Sequence, residues 1–164
     1  VILVTPYRLE RITAFFNPTQ DLADTGYHLD QALQAIGSGG IFGVGFGQSA
    51  TKLHALPEAI GDSIFAVVGE EFGFIGSLAV LAAFFVLVWR GLRIARRTSD
   101  SFGRLIVIGC TCLIGIQAFV NIAAISGLIP LTGVPLPFVS YGGTALAVSL
   151  TMSGIIVNVS GSRS

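Results

Sequence analysis

The chain has 164 residues, of which 52% are hydrophobic and 11% charged, and its nine acidic and nine basic side chains cancel. Soluble domains carry about 25% charged residues, so this deficit, with a mean hydropathy of +0.81, excludes an ordinary water-soluble globule and points to a membrane protein. The zero net charge gives no footing for a nucleic-acid partner.

The charges are placed unevenly: eight of the nine acids lie in residues 1–71, and five of the nine basic residues lie in 90–104. The chain opens on VILV with no basic run before it. That stub reads as the tail of an earlier membrane segment rather than a signal peptide, and the expectation is the C-terminal piece of a longer protein. A long polar segment follows, over about 5–62, and keeps Arg8, Arg11 and Lys52. Bulk water could host these cations, or they could serve an anionic ligand. Within it, HLDQALQAI (28–36) sets Leu29, Leu33 and Ile36 on one helical face and predicts a short helix lying on the membrane surface. GSGGIFGVGFGQS (37–49) holds six glycines but matches neither G-x-G-x-x-G nor G-x-x-x-x-G-K-[ST], so a nucleotide site is not indicated. Its glycines allow tight turns and close backbone approach, with amides free to meet an anion; a merely flexible loop explains them as well.

LPEAIGDSIFAVVGEEFG (56–73) leads into the first predicted span, over 63–89. Asp62 has two readings. It suits an N-cap, accepting a bond from a free backbone amide. At the mouth of a membrane helix its ionised form is also poorly solvated, which suits a group that abstracts a proton. Glu70 and Glu71 fall about two turns into the span. Adjacent helical residues point about 100° apart, so the two cannot easily share one partner; pairing with an arginine, or one facing a polar cavity while the other snorkels, are both open.

RGLRIARRTSDSFGR (90–104) is a short arginine-rich loop, which the positive-inside rule retains in the cytoplasm. Spans two and three are predicted over 105–125 and 144–160, from apolar length and the absence of period-2 alternation. Alternation then puts about 5–62 and 126–143 on the outer face. Cys110 and Cys112 lack zinc-ligand spacing and read as packing residues, and no metal site is legible. Gln117 and Asn121, one helical turn apart, predict interhelical hydrogen bonds.

Between spans two and three stands PLTGVPLPFVSYGGT (130–144). Its prolines disfavour helix at Val134 and Leu136, and Gly142 and Gly143 let the chain turn into the third helix. Ser140 and Tyr141 offer hydroxyls. Irregular backbone near membrane depth is tolerated when buried in protein or lining a cavity. The expectation is a loop that walls a cavity with Asp62 on its rim; a compact turn without a ligand is the alternative.

These residues resemble a known family. GLIPLTGVPLPFVSYGGT (127–144) is similar to the C-terminal signature of the SEDS family (shape, elongation, division and sporulation; RodA- and FtsW-like proteins). LPEAIGDSIFAVVGEEFGFIG (56–76), YRLERITAFFNP (7–18) and GYHLDQALQAIGSGGIFGVGFGQS (26–49) resemble further family blocks, in the family's order over nearly the whole chain. The resemblance implies an all-α, polytopic transmembrane bundle in the bacterial cytoplasmic membrane, here three full spans plus an N-terminal stub. It implies a peptidoglycan glycosyltransferase that polymerises lipid II at the outer face, with a class B penicillin-binding protein as transpeptidase partner. Asp62, after the Leu-Pro-Glu element, would be the catalytic base, and undecaprenyl diphosphate the leaving group. The pattern departs from the commonest family form, His-Thr before the aspartate and Phe after it: Ile60-Gly61 precede Asp62 and Ser63 follows. Substrate-binding candidates are Arg8, Arg11, Lys52, Glu58, Ser140, Tyr141 and Gly142. A divalent-cation requirement is left open. A lipid II transporter and a non-catalytic scaffold for a transpeptidase are the competing functions.

Overall fold

The computed structural model describes residues 25–47 and 63–161. Among these residues there are four helices and no strand: α1 (Thr25–Gly39), α2 (Ile64–Arg97), α3 (Ser101–Ile125) and α4 (Gly143–Gly161). The last three are long and apolar enough to cross a membrane, as the all-α polytopic reading requires. The arginine-rich stretch expected as a loop is instead mostly helix. α2 continues through Arg97, and three residues, 98–100, separate it from α3. Arginine is a good helix former, so the helix runs on until its stop signals act. Thr98 turns extended and its hydroxyl donates back to the Ile94 carbonyl at 3.0 Å. Asp100 then caps α3, its carboxylate accepting the Phe102 and Gly103 amides at 3.4 and 2.6 Å. α3 ends in a Schellman motif: Leu128 donates to Ala123 and Gly127 to Ala124, with Gly127 at φ 72°.

Two apolar clusters hold the bundle, one toward each end. At the arginine end, Ala95 of α2, Val107 and Ile114 of α3, and Met152 and Ile156 of α4 pack together. At the other end, Ala32 and Ala35 of α1 meet Phe65 and Ala66 of α2, Ala118 and Ile125 of α3, and Leu136 of the proline-rich loop. Two pieces distant in sequence, α1 and the proline loop, thus share one core. The protein-facing side of α1 is made of small residues. Leu33 is exposed, and the buried face is Ala32, Ala35 and Gly39 with Ile36 at its edge. Small residues win because α1 lies against the α2 backbone: a side chain at Gly39 would strike the Gly69 carbonyl.

The main departure from a simple bundle is inside α2. Gly73 adopts φ 65°, ψ −157° and interrupts the helix, a conformation reserved in practice for glycine. In an unbroken helix the Phe74 and Ile75 amides would donate to the Glu70 and Glu71 carbonyls. Here the glycine-rich loop after α1 is spliced into the gap. Phe74 donates to Gly40 at 2.9 Å and Ile75 to Ile41 at 3.3 Å. In return, Val44 donates to Glu70 at 3.0 Å and Gly45 to Glu71 at 3.2 Å. Gly43 donates to Gly39 at 2.7 Å and holds the inserted turn together, while the Ser77 hydroxyl takes the Gly73 carbonyl at 3.1 Å. Of the loop amides read as able to meet an anion, those of Val44 and Gly45 are used on helix carbonyls. Each backbone group left without a partner would cost about 1–3 kcal/mol, and more in hydrocarbon.

The splice requires Gly73 for its backbone angles and Gly43 for contact with the Glu71 carbonyl. Gly73→Ala is expected to destabilise the protein by at least about 1–3 kcal/mol. Gly37→Ala, at a helical position whose Cβ would meet nothing within 4 Å, is expected to be neutral or stabilising by up to about 1 kcal/mol. Thermal unfolding of the full-length parent protein in detergent checks both.

Candidate active site

Of the residues read as a site, Ser140, Tyr141 and Gly142 are among the described residues, at the exit of the proline loop, which packs at the end of the bundle where α2 begins. Three pieces meet there. The first is the short half of α2, 64–72, held from one side by α1 and locked at its far end by the glycine splice. The second is the splice itself. The third is the proline loop, whose Leu136 is buried among α1, α2 and α3 residues.

The proline loop is held by polar groups of α3. Gln117 Nε2 donates to the Pro135 carbonyl at 3.1 Å, and Asn121 Nδ2 to the Val134 carbonyl at 2.7 Å. The interhelical bonds expected of these two side chains go to the loop instead. The reason lies in the loop: proline has no N–H, so this extended stretch forms no ladder, and its inward carbonyls need donors from elsewhere. A tight turn then follows. Leu136 donates to Ser140 Oγ at 2.7 Å, and the Ser140 amide donates to the Leu136 carbonyl at 3.0 Å. Phe138 between them is held at φ 65°, uncommon for a bulky side chain and tolerated where surroundings over-determine it.

Of the candidate residues, Asp62, Glu58, Lys52, Arg8 and Arg11 lie outside the described residues. Asp62 immediately precedes Ser63, which holds the N-cap position of α2 without a side-chain capping bond. The cap position considered for Asp62 thus belongs to its neighbour. Ser140, Tyr141 and Gly142 lie together at the loop's exit, in three different conditions. Ser140 is buried and its oxygen accepts the Leu136 amide. Tyr141 is 85% exposed. Gly142 gives its carbonyl to the Leu146 amide at the start of α4. Ser140 is therefore built into the turn, and Tyr141 is the hydroxyl presented outward.

Glu70 and Glu71 are both buried, at 5% and 4% exposure, so neither snorkels. They are the residues whose carbonyls receive the spliced loop. The amide oxygen of Gln31 on α1 is buried without a hydrogen-bond partner. Gly39 and Gly43 lie in the stretch read as allowing close backbone approach, and both make one; sequence reading missed Gly73, for which the available signal was a glycine two residues after a pair of acids in an apolar run.

The family model of FtsW, RodA and SpoVE, described as "Cell cycle protein", matches residues 1–164. The chain is 46% identical over 160 residues to Stage V sporulation protein E of Bacillus subtilis (strain 168), covering 98% of this chain and 44% of that protein. It is likewise 46% identical over 160 residues to the "Probable peptidoglycan glycosyltransferase FtsW" of Geobacter sp. (strain M18), covering 98% and 44%. A solved structure described as "Structural coordination of polymerization and crosslinking by a peptidoglycan synthase complex" superposes with a TM-score of 0.77 at 28% identity, over 98% of this chain and 43% of that one. The chain therefore spans under half the length of these relatives.

Asn121 is buried and its bond to Val134 spans the loop-to-helix contact. Asn121→Leu, close in volume but without the amide donor, is expected to cost about 1–3 kcal/mol and to raise hydrogen exchange across 131–140. Gln117→Leu, at a half-buried position, is expected to give the smaller effect. Exchange measured by mass spectrometry on the full-length protein checks the order.

Proposed function

Because the chain belongs to the FtsW, RodA and SpoVE family of cell cycle proteins, we propose that its parent is a peptidoglycan glycosyltransferase, which polymerises lipid II at the outer face of the cytoplasmic membrane. The observation that carries this reading is the family match over the whole chain, joined to relatives named for that activity. The three apolar helices and the family indicate a multi-pass membrane protein. The similarity to a peptidoglycan synthase complex supports a class B penicillin-binding protein as the partner that cross-links the strands.

In this proposal Asp62 is the general base. Its carboxylate takes the proton of the acceptor sugar hydroxyl. The freed oxygen attacks the anomeric carbon of the donor, forming the glycosidic bond. The bond from that carbon to the diphosphate oxygen breaks, and undecaprenyl diphosphate leaves with the electron pair. Arg8, Arg11 and Lys52 are proposed to meet the developing negative charge on the diphosphate, where fixed cations act strongly in a water-poor site. Glu58 and Tyr141 are proposed to orient the sugars, and Ser140 and Gly142 to shape the wall behind Tyr141. The short half of α2 supports this assignment. It begins at Ile64, two residues after Asp62, and is braced by α1, the glycine splice and Leu136. General-base catalysis needs a group held within hydrogen-bond reach of its proton, and a braced helix start meets that need.

Transport of lipid II would use buried polar side chains along the spans as a route. Its candidate lining is Glu70, Glu71, Gln117 and Asn121; Glu70 and Glu71 are buried, and Gln117 and Asn121 are donors to the proline loop.

Asp62→Asn in the full-length protein is expected to lower polymerisation of lipid II by about 10²–10⁴-fold, with membrane insertion and partner binding unchanged. Gel analysis of polymer made by purified protein measures it. Normal polymer from the variant would remove Asp62 from the reaction. Vesicles loaded with labelled lipid II separate the transport reading, which predicts movement across the bilayer without polymer. Full cell-wall growth with the inactive variant would favour the scaffold.

A further inference from the structure

The end of the bundle opposite the proline loop carries charge that the proposed chemistry leaves unused. Arg90, Arg93, Arg96 and Arg97 close α2, and all four are exposed. At about 100° per residue they fall, with Trp89, within about a third of the helix circumference. Gly91 and Ala95 occupy the opposite side and are buried, Gly91 against Thr111 of α3. The arginines therefore form one outward stripe.

Three observations give the stripe a ligand. First, no described carboxylate compensates the charges. Among the described residues none of the four is paired with a carboxylate, and the nearby acid, Asp100, uses both its oxygens to cap α3. Second, the Arg93 guanidinium lies 4.5 Å from the centroid of the Trp89 ring, and this contact orders the guanidinium at a half-exposed indole. Tryptophan prefers the headgroup level of a bilayer. Third, the same face of α2 continues as an exposed apolar strip through Val86, Phe85 and Leu78, which are 50%, 71% and 54% exposed. Along one face the order is apolar strip, indole, guanidinium cluster. A phospholipid presents the complementary order of acyl chains, glycerol region and phosphate. An acidic peptide would match the arginines but would gain nothing from the strip.

We infer that the outward face of α2, from Leu78 to Arg97, is a binding site for an anionic glycerophospholipid, with its phosphate held by Arg93 and Arg97 beside Trp89 and its acyl chains along Phe85 and Leu78. Arginine suits the task because its planar fork binds phosphate oxygens bidentately and stacks on an aromatic face. The site is independent of Asp62 and of the glycosyltransferase reading.

The test uses the full-length parent protein in detergent micelles, with native mass spectrometry after addition of phosphatidylglycerol or phosphatidylcholine of matched chains. Retention of phosphatidylglycerol at least about tenfold over phosphatidylcholine is expected, and it is expected to fall steeply as salt rises. The double variant Arg93→Gln/Arg97→Gln should weaken phosphatidylglycerol by about 30-fold, from the contribution of two basic residues near an anionic surface, with phosphatidylcholine unmoved. Trp89→Leu should weaken it by a smaller factor. Equal retention of the two lipids by the unmodified protein would overturn the inference, and that measurement needs no variant to fold. An unchanged double variant would overturn it too. So would an Arg104→Gln variant, altered on α3, that loses as much as the double variant, since that would mean a diffuse field rather than a site.

Discussion

Four backbone hydrogen bonds between residues 40–45 and an interrupted membrane helix set the architecture of this chain. They exist because hydrocarbon offers no partner to an open N–H or C=O. Once Gly73 leaves helical geometry, two amides and two carbonyls lose each other. The loop after α1 supplies the missing donors and acceptors reciprocally, at residues four apart, which is the spacing the helix itself would have used. The consequence is geometric. The loop must approach to backbone contact, so Gly39, Gly43 and Gly73 have no room for a Cβ. α1 must lie where its C-terminus can deliver that loop, and its buried face is accordingly alanine and glycine.

The same rule governs the proline loop at the same end of the bundle. Prolines keep it out of helix and remove amides, and they leave carbonyls turned toward α3. Gln117 and Asn121 meet these carbonyls from within an otherwise apolar span. A buried polar side chain in a membrane helix is costly alone and stabilising when it closes an account the backbone left open. Ser140 repeats the device over one turn, accepting the Leu136 amide. Irregular backbone at both places is thus tied to helices, through the splice bonds of 40–45 to α2 and the Val134 and Pro135 carbonyls to α3.

The spans were legible because apolar length alone specifies them, and so were the absence of strand character and the irregularity of 130–142. The helical extent of the arginine stretch was not, because positive charge announces a membrane surface and says nothing of where a helix stops; Thr98 and Asp100 decide that. The glycines of 37–47 could be read as permitting close approach, but the partner is a backbone some thirty residues later, and nothing in a glycine names its neighbour. Gln117 and Asn121 were legible as hydrogen-bond donors, and their acceptors were not, since an open carbonyl leaves no trace in residue type. For the candidate site, Ser140 and Tyr141 read alike as hydroxyls at a turn. The turn at Phe138 separates them, burying one as a structural acceptor and presenting the other to the outside.

Breaking α2 near its beginning divides its labour. The apolar part of the long half beyond Gly73, residues 74–89, is about 24 Å long at about 1.5 Å per residue, most of a hydrocarbon core of roughly 30 Å. The short half is held by its neighbours. Phe65 and Ala66 in its first turn pack with Ala32 and Ala35 of α1 and with Leu136 of the proline loop, while Glu70 and Glu71 in its last turn receive the splice. The short half of α2 is therefore anchored to α1, the proline loop and the glycine turn as well as to the rest of the span.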